Sequence, residues 1–420
     1  MLPVVLFCLF AASIKTQEHH LKEYFEIQTY LGNESNTGTI LVYACAATLF
    51  LPVYITLVPV LFLFVWMLAS KECRKAAKAL PAFGFLLAFF ALVLAVPAVY
   101  GNWLGVFTGA VFIVLMTAGL GFRVILKKWQ YERALSLVGA GSVFGFLTAL
   151  VQALANLGNS KFRPGSVTVN PNYYAALAAL AALVCVYKIA CGSPFKILYG
   201  VLLLMNLYGM ELADCRSATA ALLFSIVVFF LFNRQKKLLI LSACLVGLFM
   251  AAILFFPELM GRFAHVTKDI GVRRSLWEAG AAGILQAPVF GKGTFAFIFN
   301  NNPTRVGFYP HSHNLVIEFV LNYGLAGAAL FGVYAVRLLN PSRIGAEPAV
   351  RRHFALAAGV CAYTLAHGML DCTLYWPSVL LTTLLLVSSA RPGEGVPTLR
   401  AKKILSRFWK KPGSGQKIQG

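Results

Sequence analysis

The sequence predicts an all-α, polytopic integral membrane protein, and three observations predict it. Of 420 residues, 59% are hydrophobic and 12% charged, and mean hydropathy is +0.75; soluble domains usually carry about 25% charged residues. The apolar residues gather in many separate runs of about 17 or more, long enough to cross a hydrocarbon core about 30 Å thick, with short polar loops between them. The 36 Lys and Arg outnumber the 15 Asp and Glu, for a net charge of +21, but they sit mainly in short loops and the C-terminal tail. That placement is the positive-inside bias of membrane proteins, so the charge reports topology and no nucleic-acid partner is expected.

Residues 1–38 form an N-terminal segment: an apolar stretch over 1–14, read either as signal-like or as a short first span, then an acidic, polar stretch to about Asn36. Transmembrane helices fill residues 39–256. The first apolar run, 39–70, holds Pro52 and Pro59 and is too long for one untilted span, so it is one long broken helix or a tight hairpin of two short ones. The basic KECRKAAKAL (Lys71 to Leu80) belongs in the cytoplasm and anchors the topology. Spans near 82–98, 103–121, 134–154, 172–189, 196–210, 217–233 and 237–256 then alternate sides, with basic loops inside and the polar loop NLGNSKFRPGSVTVNPNYY outside. A large outer loop covers 257–313, C-terminal helices cover 314–390, and 391–420 is a basic cytoplasmic tail suited to lying on anionic membrane lipid. The total is about twelve spans with both ends inside, or thirteen if residues 1–14 span and 39–70 is a hairpin.

Some chemistries are disfavoured. The nine cysteines are scattered without a CxxC pair, so neither a disulfide framework nor a zinc site is indicated; Cys215 and Cys372 alone are placed near the outer face. The three aspartates, Asp214, Asp269 and Asp371, are too far apart in sequence for a DxD cluster, so no metal is expected to hold a diphosphate here. There is no P-loop, GxSxG elbow or HExxH.

The unusual polar residues converge instead on the outer face. They are Arg216 in ADCRSATAALL, Arg273 and Arg274 in VRRSLW, His311 and His313 in HSHNLVIEFVLNYGLAG, and Asp371 in HGMLDCTLYWP. Arginines outside run against the positive-inside bias, and a guanidinium forks onto two phosphate oxygens without losing its proton, so they are candidates for binding an anion. The plainer reading of Arg216 is a side chain paired with Asp214 or Glu211. The segment VRRSLWEAGAAGILQA reads as an amphipathic surface helix with Leu276, Trp277, Ala281, Ile284 and Leu285 on its apolar side. Next, Gly291 and Gly293 flank Lys292 in a turn whose amides could face an anion, or which is a simple surface turn. If a helix starts near His313, Gly324 falls about three turns on and Gly327 near the same stripe, a face for close helix packing. Asn314 then reads as a helix cap or a supporting residue.

These residues resemble the O-antigen ligase family and its relatives, the O-antigen polymerases and protein O-oligosaccharyltransferases. The family signature H-[NSQ]-x9-G-x-x-[GTY] is complete in His313, Asn314, Gly324 and Gly327. Arg273 and Trp277 resemble the upstream R-x-x-x-W, followed by Pro288, Gly291, Gly293 and Phe295, the last one place early. Arg216 sits in a sequence similar to S-R-[GS]-A-x-x-A-L, with Cys215 replacing the serine, and Asp371 and Pro377 resemble the family's D-x-x-x-x-x-P turn. The resemblance covers about residues 200–390; earlier residues agree only in hydropathy.

It implies a GT-C-like glycosyltransferase in the bacterial inner membrane with its site facing the periplasm. A glycan would pass from undecaprenyl diphosphate to a sugar hydroxyl of the lipid A core, without metal or other cofactor and with inversion. His313 would be the base, Arg216 and Arg273 or Arg274 would bind the diphosphate, and Asp371 would orient a partner. Asn314, His311 and Lys292 would support them. A polymerase or protein glycosyltransferase of the same superfamily is the alternative; protein-glycosylating relatives are commonly longer than this chain. A twelve-helix transporter is the rival of another class, but repeated halves and mid-membrane charges are not seen.

Overall fold

The computed structural model describes residues 37–159, 161–255, 266–300, 309–339 and 348–388. The N-terminal segment 1–36 and the basic tail from 389 onward lie outside these residues. The chain forms α1 (Thr37–Thr48), α2 (Val53–Ala69), α3 (Lys71–Lys78), α4 (Phe83–Val99), α5 (Trp103–Ile125), α6 (Lys128–Ala155), α7 (Pro171–Ala190) and α8 (Lys196–Leu212). It continues with α9 (Arg216–Asn233), α10 (Lys236–Phe255), α11 (Val266–Gln286), α12 (Ala296–Asn300), α13 (Leu315–Leu339), α14 (Pro348–Gly368) and α15 (Pro377–Val387). No strand occurs among the described residues. Five helices, α5, α6, α7, α9 and α13, are long and apolar enough to cross a membrane, or six if α2 and α3, bent by 84°, form one span. This is a multi-pass membrane protein. The run 39–70 is two helices packed on each other, because Pro52 lacks the N–H to continue α1 and instead starts α2. All described cysteines are free, Cys215 and Cys372 included.

The bundle is organised around α7. Its sequence, PNYYAALAALAALVCVYKIA, is rich in alanine, and small side chains let neighbouring helices approach closely. Every residue from Tyr174 to Lys188 is buried, enclosed by α6, α8, α9, α14 and α15. At its C-terminal end the Lys188 ammonium donates to the Glu132 carboxylate at 2.6 Å and to its carbonyl at 2.8 Å. His353 of α14 meets the same carboxylate at 3.0 Å, and the Tyr187 hydroxyl donates to it. One carboxylate thereby joins α6, α7 and α14. At the N-terminal end Pro171 occupies the first turn, where its missing N–H costs nothing, and the Asn170 side chain accepts from the Asn172 amide at 2.8 Å.

The amphipathic segment after residue 271 is part of α11, but its apolar side faces protein. Leu276 is fully buried against Phe297 and Leu321, with Ala279 and Ile284 beside it, whereas Ala281 and Leu285 are exposed. The helix following His313 also departs from expectation. It begins at Leu315 and is broken at Gly324, whose backbone has φ 66° and ψ −175°. Two ends of the break are occupied by the segment 288–293. Leu325 and Ala326 amides donate to the Pro288 and Val289 carbonyls, both at 2.9 Å, and Lys292 and Gly293 amides donate to the Leu321 and Asn322 carbonyls at 3.1 and 2.8 Å.

The expected helix-packing face of Gly324 and Gly327 is corrected accordingly. A Cβ on Gly324 would lie 2.2 Å from the Val289 carbonyl oxygen, so that glycine admits a loop backbone, not a helix. Gly327 does face α4, with Phe89 and Leu92 at van der Waals distance from a Cβ built there. The amides of Lys292 and Gly293 are consumed by the broken helix, so the turn expected to face an anion does not present them to one.

Two measurements check this architecture. Lys188→Ala leaves a half-buried carboxylate without its cation and should lower stability by about 1–2 kcal/mol, read as a lower melting midpoint in detergent; an unchanged midpoint contradicts the role given to Glu132. Gly324→Ala adds a left-handed strain and a backbone clash, and should cost about 2 kcal/mol or more, with Gly332→Ala, where a Cβ meets open space, as the mild control.

Candidate active site

The site begins with a loop that α13 holds in place. Asn314 caps the helix: its side-chain oxygen accepts from the Val316 and Ile317 amides at 3.0 and 3.1 Å, while its amide nitrogen donates to the Met369 carbonyl at 3.1 Å. Glu318, buried one turn on, accepts from the Ser312 backbone N–H at 2.8 Å, and the Ser312 hydroxyl donates to the Asn314 carbonyl at 3.1 Å. Pinned on both sides, His313 precedes the helix rather than starting it, and adopts a left-handed φ of 51°. A non-glycine residue held there carries strain that its surroundings must offset, a situation concentrated at functional sites.

That conformation aims the His313 ring at Asp371, with Nδ1 3.2 Å from Oδ1. Asp371 is almost fully buried in the turn after α14. Its Oδ1 also accepts from the Cys372 amide at 2.7 Å, and Oδ2 accepts from the Asn172 side chain at 2.6 Å. Burial works to raise this carboxyl, but the hydrogen bond and charge of His313, with His367 and His311 nearby, outweigh it and hold the group well below the usual carboxylate range. An ionised carboxylate only accepts. The proton of a neutral His313 ring therefore sits on Nδ1, leaving the Nε2 lone pair available as a base.

His311 packs beside it, with ring centroids 4.3 Å apart, and its Nδ1 accepts from the His313 amide at 3.3 Å. Burial, with His313 next to it, pushes the His311 imidazole down to about 4. His311, His313 and Asp371 each offer a ligand atom within 4.8 Å of the others, the donor set of a transition-metal site. Both Asp371 oxygens and the His311 Nδ1 also accept from protein donors, the geometry of an oriented base.

The other expected site residues fall into two groups. Arg273 is half-buried on α11 and within electrostatic reach of His367. Arg216, half-buried, opens α9 directly after Cys215, whose sulfur lies 3.9 Å from His367 Nε2. His367 in turn meets Thr373 at 3.1 Å, two residues from Asp371. Arg273 and Asp371 thus lie within electrostatic reach of one buried imidazole, and Cys215, the residue before Arg216, touches it. Arg274 points elsewhere, exposed and paired with Glu278 at 3.0 Å. Lys292 hydrogen-bonds Gln286.

Sequence reasoning missed Arg163 and Asn172, which lie in no recognised motif, and the buried Glu318 that pins Ser312. The signal for Arg163 was present, as another arginine in a loop that the sequence placed outside. The positive-φ residues Ser166, Val169, Asp214, Phe295 and His313 all lie in segments that the sequence placed outside or at the outer ends of spans.

Acidification tests the His311 environment. As pH falls from 6.5 towards 4, the unfolded chain takes up a proton that folded His311 refuses, so stability falls across that window. Asp371, depressed below 3.8, keeps its contribution until pH drops beneath that value. His311→Gln should therefore flatten the decline of the melting midpoint between pH 6.5 and 4, and an unchanged slope would contradict a buried, neutral His311.

Residues 200–332 match a family model described as O-antigen ligase, a stretch running from α8 past the break in α13. It includes Arg216, Arg273 and His313 and stops before Asp371. A search of curated proteins finds no match to the chain.

Proposed function

We propose that this chain, whose residues 200–332 match a family model described as O-antigen ligase, is a transferase acting on lipid-linked polysaccharide that moves a glycan from undecaprenyl diphosphate to a hydroxyl of the lipid A core. The reaction takes place on the periplasmic side of the bacterial inner membrane. The observation that carries the reading is His313, strained, held by buried Asp371 through Nδ1 and left with a free Nε2.

The acceptor hydroxyl approaches the anomeric carbon from the face opposite the diphosphate. His313 Nε2 takes its proton as the new C–O bond forms. The anomeric carbon–oxygen bond to phosphate breaks with inversion, and the electron pair leaves on the diphosphate. Arg216 and Arg273 stabilise that growing charge, as fixed cations do best in a site sheltered from water. Imidazolium formed in the step is stabilised by Asp371, the orienting partner of triad chemistry. Arg274, turned towards Glu278, is left out of this assignment. No step requires a metal. A polymerase joining repeat units would use the same residues, and the two are separated by their products.

His313→Ala and Arg273→Ala, expressed at wild-type level in cells lacking their own ligase, should each abolish the lipopolysaccharide ladder on gels, a loss of about a hundredfold or more in transfer. Normal attachment by the His313 variant would remove its catalytic role. Loss of the wild-type gene should leave long carrier-linked chains if the protein is a ligase, and single repeat units on core if it is a polymerase. A reconstituted reaction should proceed in EDTA; a stall would overturn the metal-free chemistry.

A further inference from the structure

Behind Asp371 a chain of hydrogen bonds continues away from His313. Asn172, in the first turn of α7, donates through Nδ2 to Asp371 Oδ2 at 2.6 Å. Arg163, in the connection between α6 and α7, donates through Nη2 to Asn172 Oδ1 at 2.8 Å and through Nε to the Ala213 carbonyl at 2.9 Å. We propose that Arg163 and Asn172 are positioning residues that hold the Asp371 carboxylate in its orientation, and through it keep His313 Nε2 turned to the reacting hydroxyl; this rests on the reading of His313 as the base.

The polarity of the chain follows from donor chemistry. A guanidinium carries five N–H donors and no acceptor. Whatever faces Arg163 must therefore accept, so the Asn172 amide turns its oxygen to Arg163 and its NH2 to Asp371. Rotated by half a turn, the amide would set oxygen against oxygen at 2.6 Å. Arg163 thus removes the amide's second orientation. The carboxylate then has one donor on Oδ2 and two on Oδ1, from His313 and Cys372. Its orientation leaves the His313 Nδ1 proton one place to go.

The chain also reaches the arginine end of the site. Ala213 closes α8 and stands three residues before Arg216. A single guanidinium therefore ties the turn that carries Arg216 to the carboxylate that orients His313. The same side chain that fixes the base's partner also fixes the segment offering the leaving group its cation. The charged and titratable groups around Asp371 are His313, His311 and His367, with Tyr173, Tyr363, Cys215 and Cys372 beside it and Arg163 behind Asn172.

The test measures transfer by the purified full-length protein, using an undecaprenyl-diphosphate-linked glycan and lipid A-core acceptor, for Asn172→Ala, Asn172→Asp, Arg163→Gln, Arg163→Lys and His313→Ala. Asn172→Ala and Arg163→Gln should lower kcat about tenfold or more with little change in KM for the donor, the signature of a misaimed group. Arg163→Lys, which still donates to Asn172, should recover part of that loss. Asn172→Asp supplies a readout that simple damage to folding does not move. Two carboxyls at that distance share a proton; while they do, the variant reproduces the asparagine's donor, and as pH rises from about 6 to 9 the proton is lost and its activity relative to wild type should fall. A variant-to-wild-type ratio constant over that range, or wild-type kcat in Asn172→Ala and Arg163→Gln, overturns the proposal. Activity in His313→Ala overturns the reading of the base instead, so the two failures are distinct.

Discussion

The burial of α7 is the constraint on which the rest of the structure depends. An alanine-rich helix closed in by five others cannot slide or turn without unpacking the bundle, because close-packed interiors resist small displacements. Each end therefore serves as a fixed point. Lys188 binds Glu132 and brings His353 of α14 with it. Asn172, about 24 Å away along a helix of this rise, reaches Asp371 in the turn that follows the same α14. The two ends of α7 grip the two ends of α14, and the candidate base is oriented from one of those grips.

A second constraint acts from the other side. The loop 309–314 is held between the α13 cap and the turn after α14, by Asn314 to Met369 and by Glu318 to Ser312. The break at Gly324 lets the segment 288–293 enter α13 as a backbone partner, and Asn322 just before it accepts from the Ala296 amide at 3.2 Å while facing Tyr375 at 3.4 Å. Asn102, capping α5, joins the same region by donating to the Thr294 carbonyl at 2.9 Å. The left-handed His313 itself is held by Asp371 and His311 and by its pinned neighbours Ser312 and Asn314, which is what allows a strained backbone to persist.

Much of the site was legible because its chemistry conflicts with its surroundings. Arginines in segments whose hydropathy pattern places them outside, and paired histidines at a helix mouth, stand out against an apolar background, and Arg216, Arg273, His313 and Asp371 were readable on that ground. The glycines were legible as special but not in their use. Spacing at helical period suggested a packing stripe, whereas Gly324 is where the helix stops being a helix. Periodicity assumes an unbroken element and cannot report the place where a second segment supplies the backbone partners. His367, Arg163 and Asn172 are not legible in the sequence, because each is ordinary in type and acquires meaning only from a neighbour far along the chain.

The sequence by itself determined that the protein is helical and membrane-embedded, and which family its second half resembles. These properties are local: composition, run length and motif spacing are written in consecutive residues. The tertiary structure alone decided that Arg273 rather than Arg274 turns inward, that Asp371 takes both His313 and Asn172, and that the amides around Lys292 are spent on α13. Each is a hydrogen bond or ion pair between residues brought together only by packing. Side-chain direction changes by about 100° from one helical residue to the next, so adjacency in sequence leaves such choices open until the helices have met.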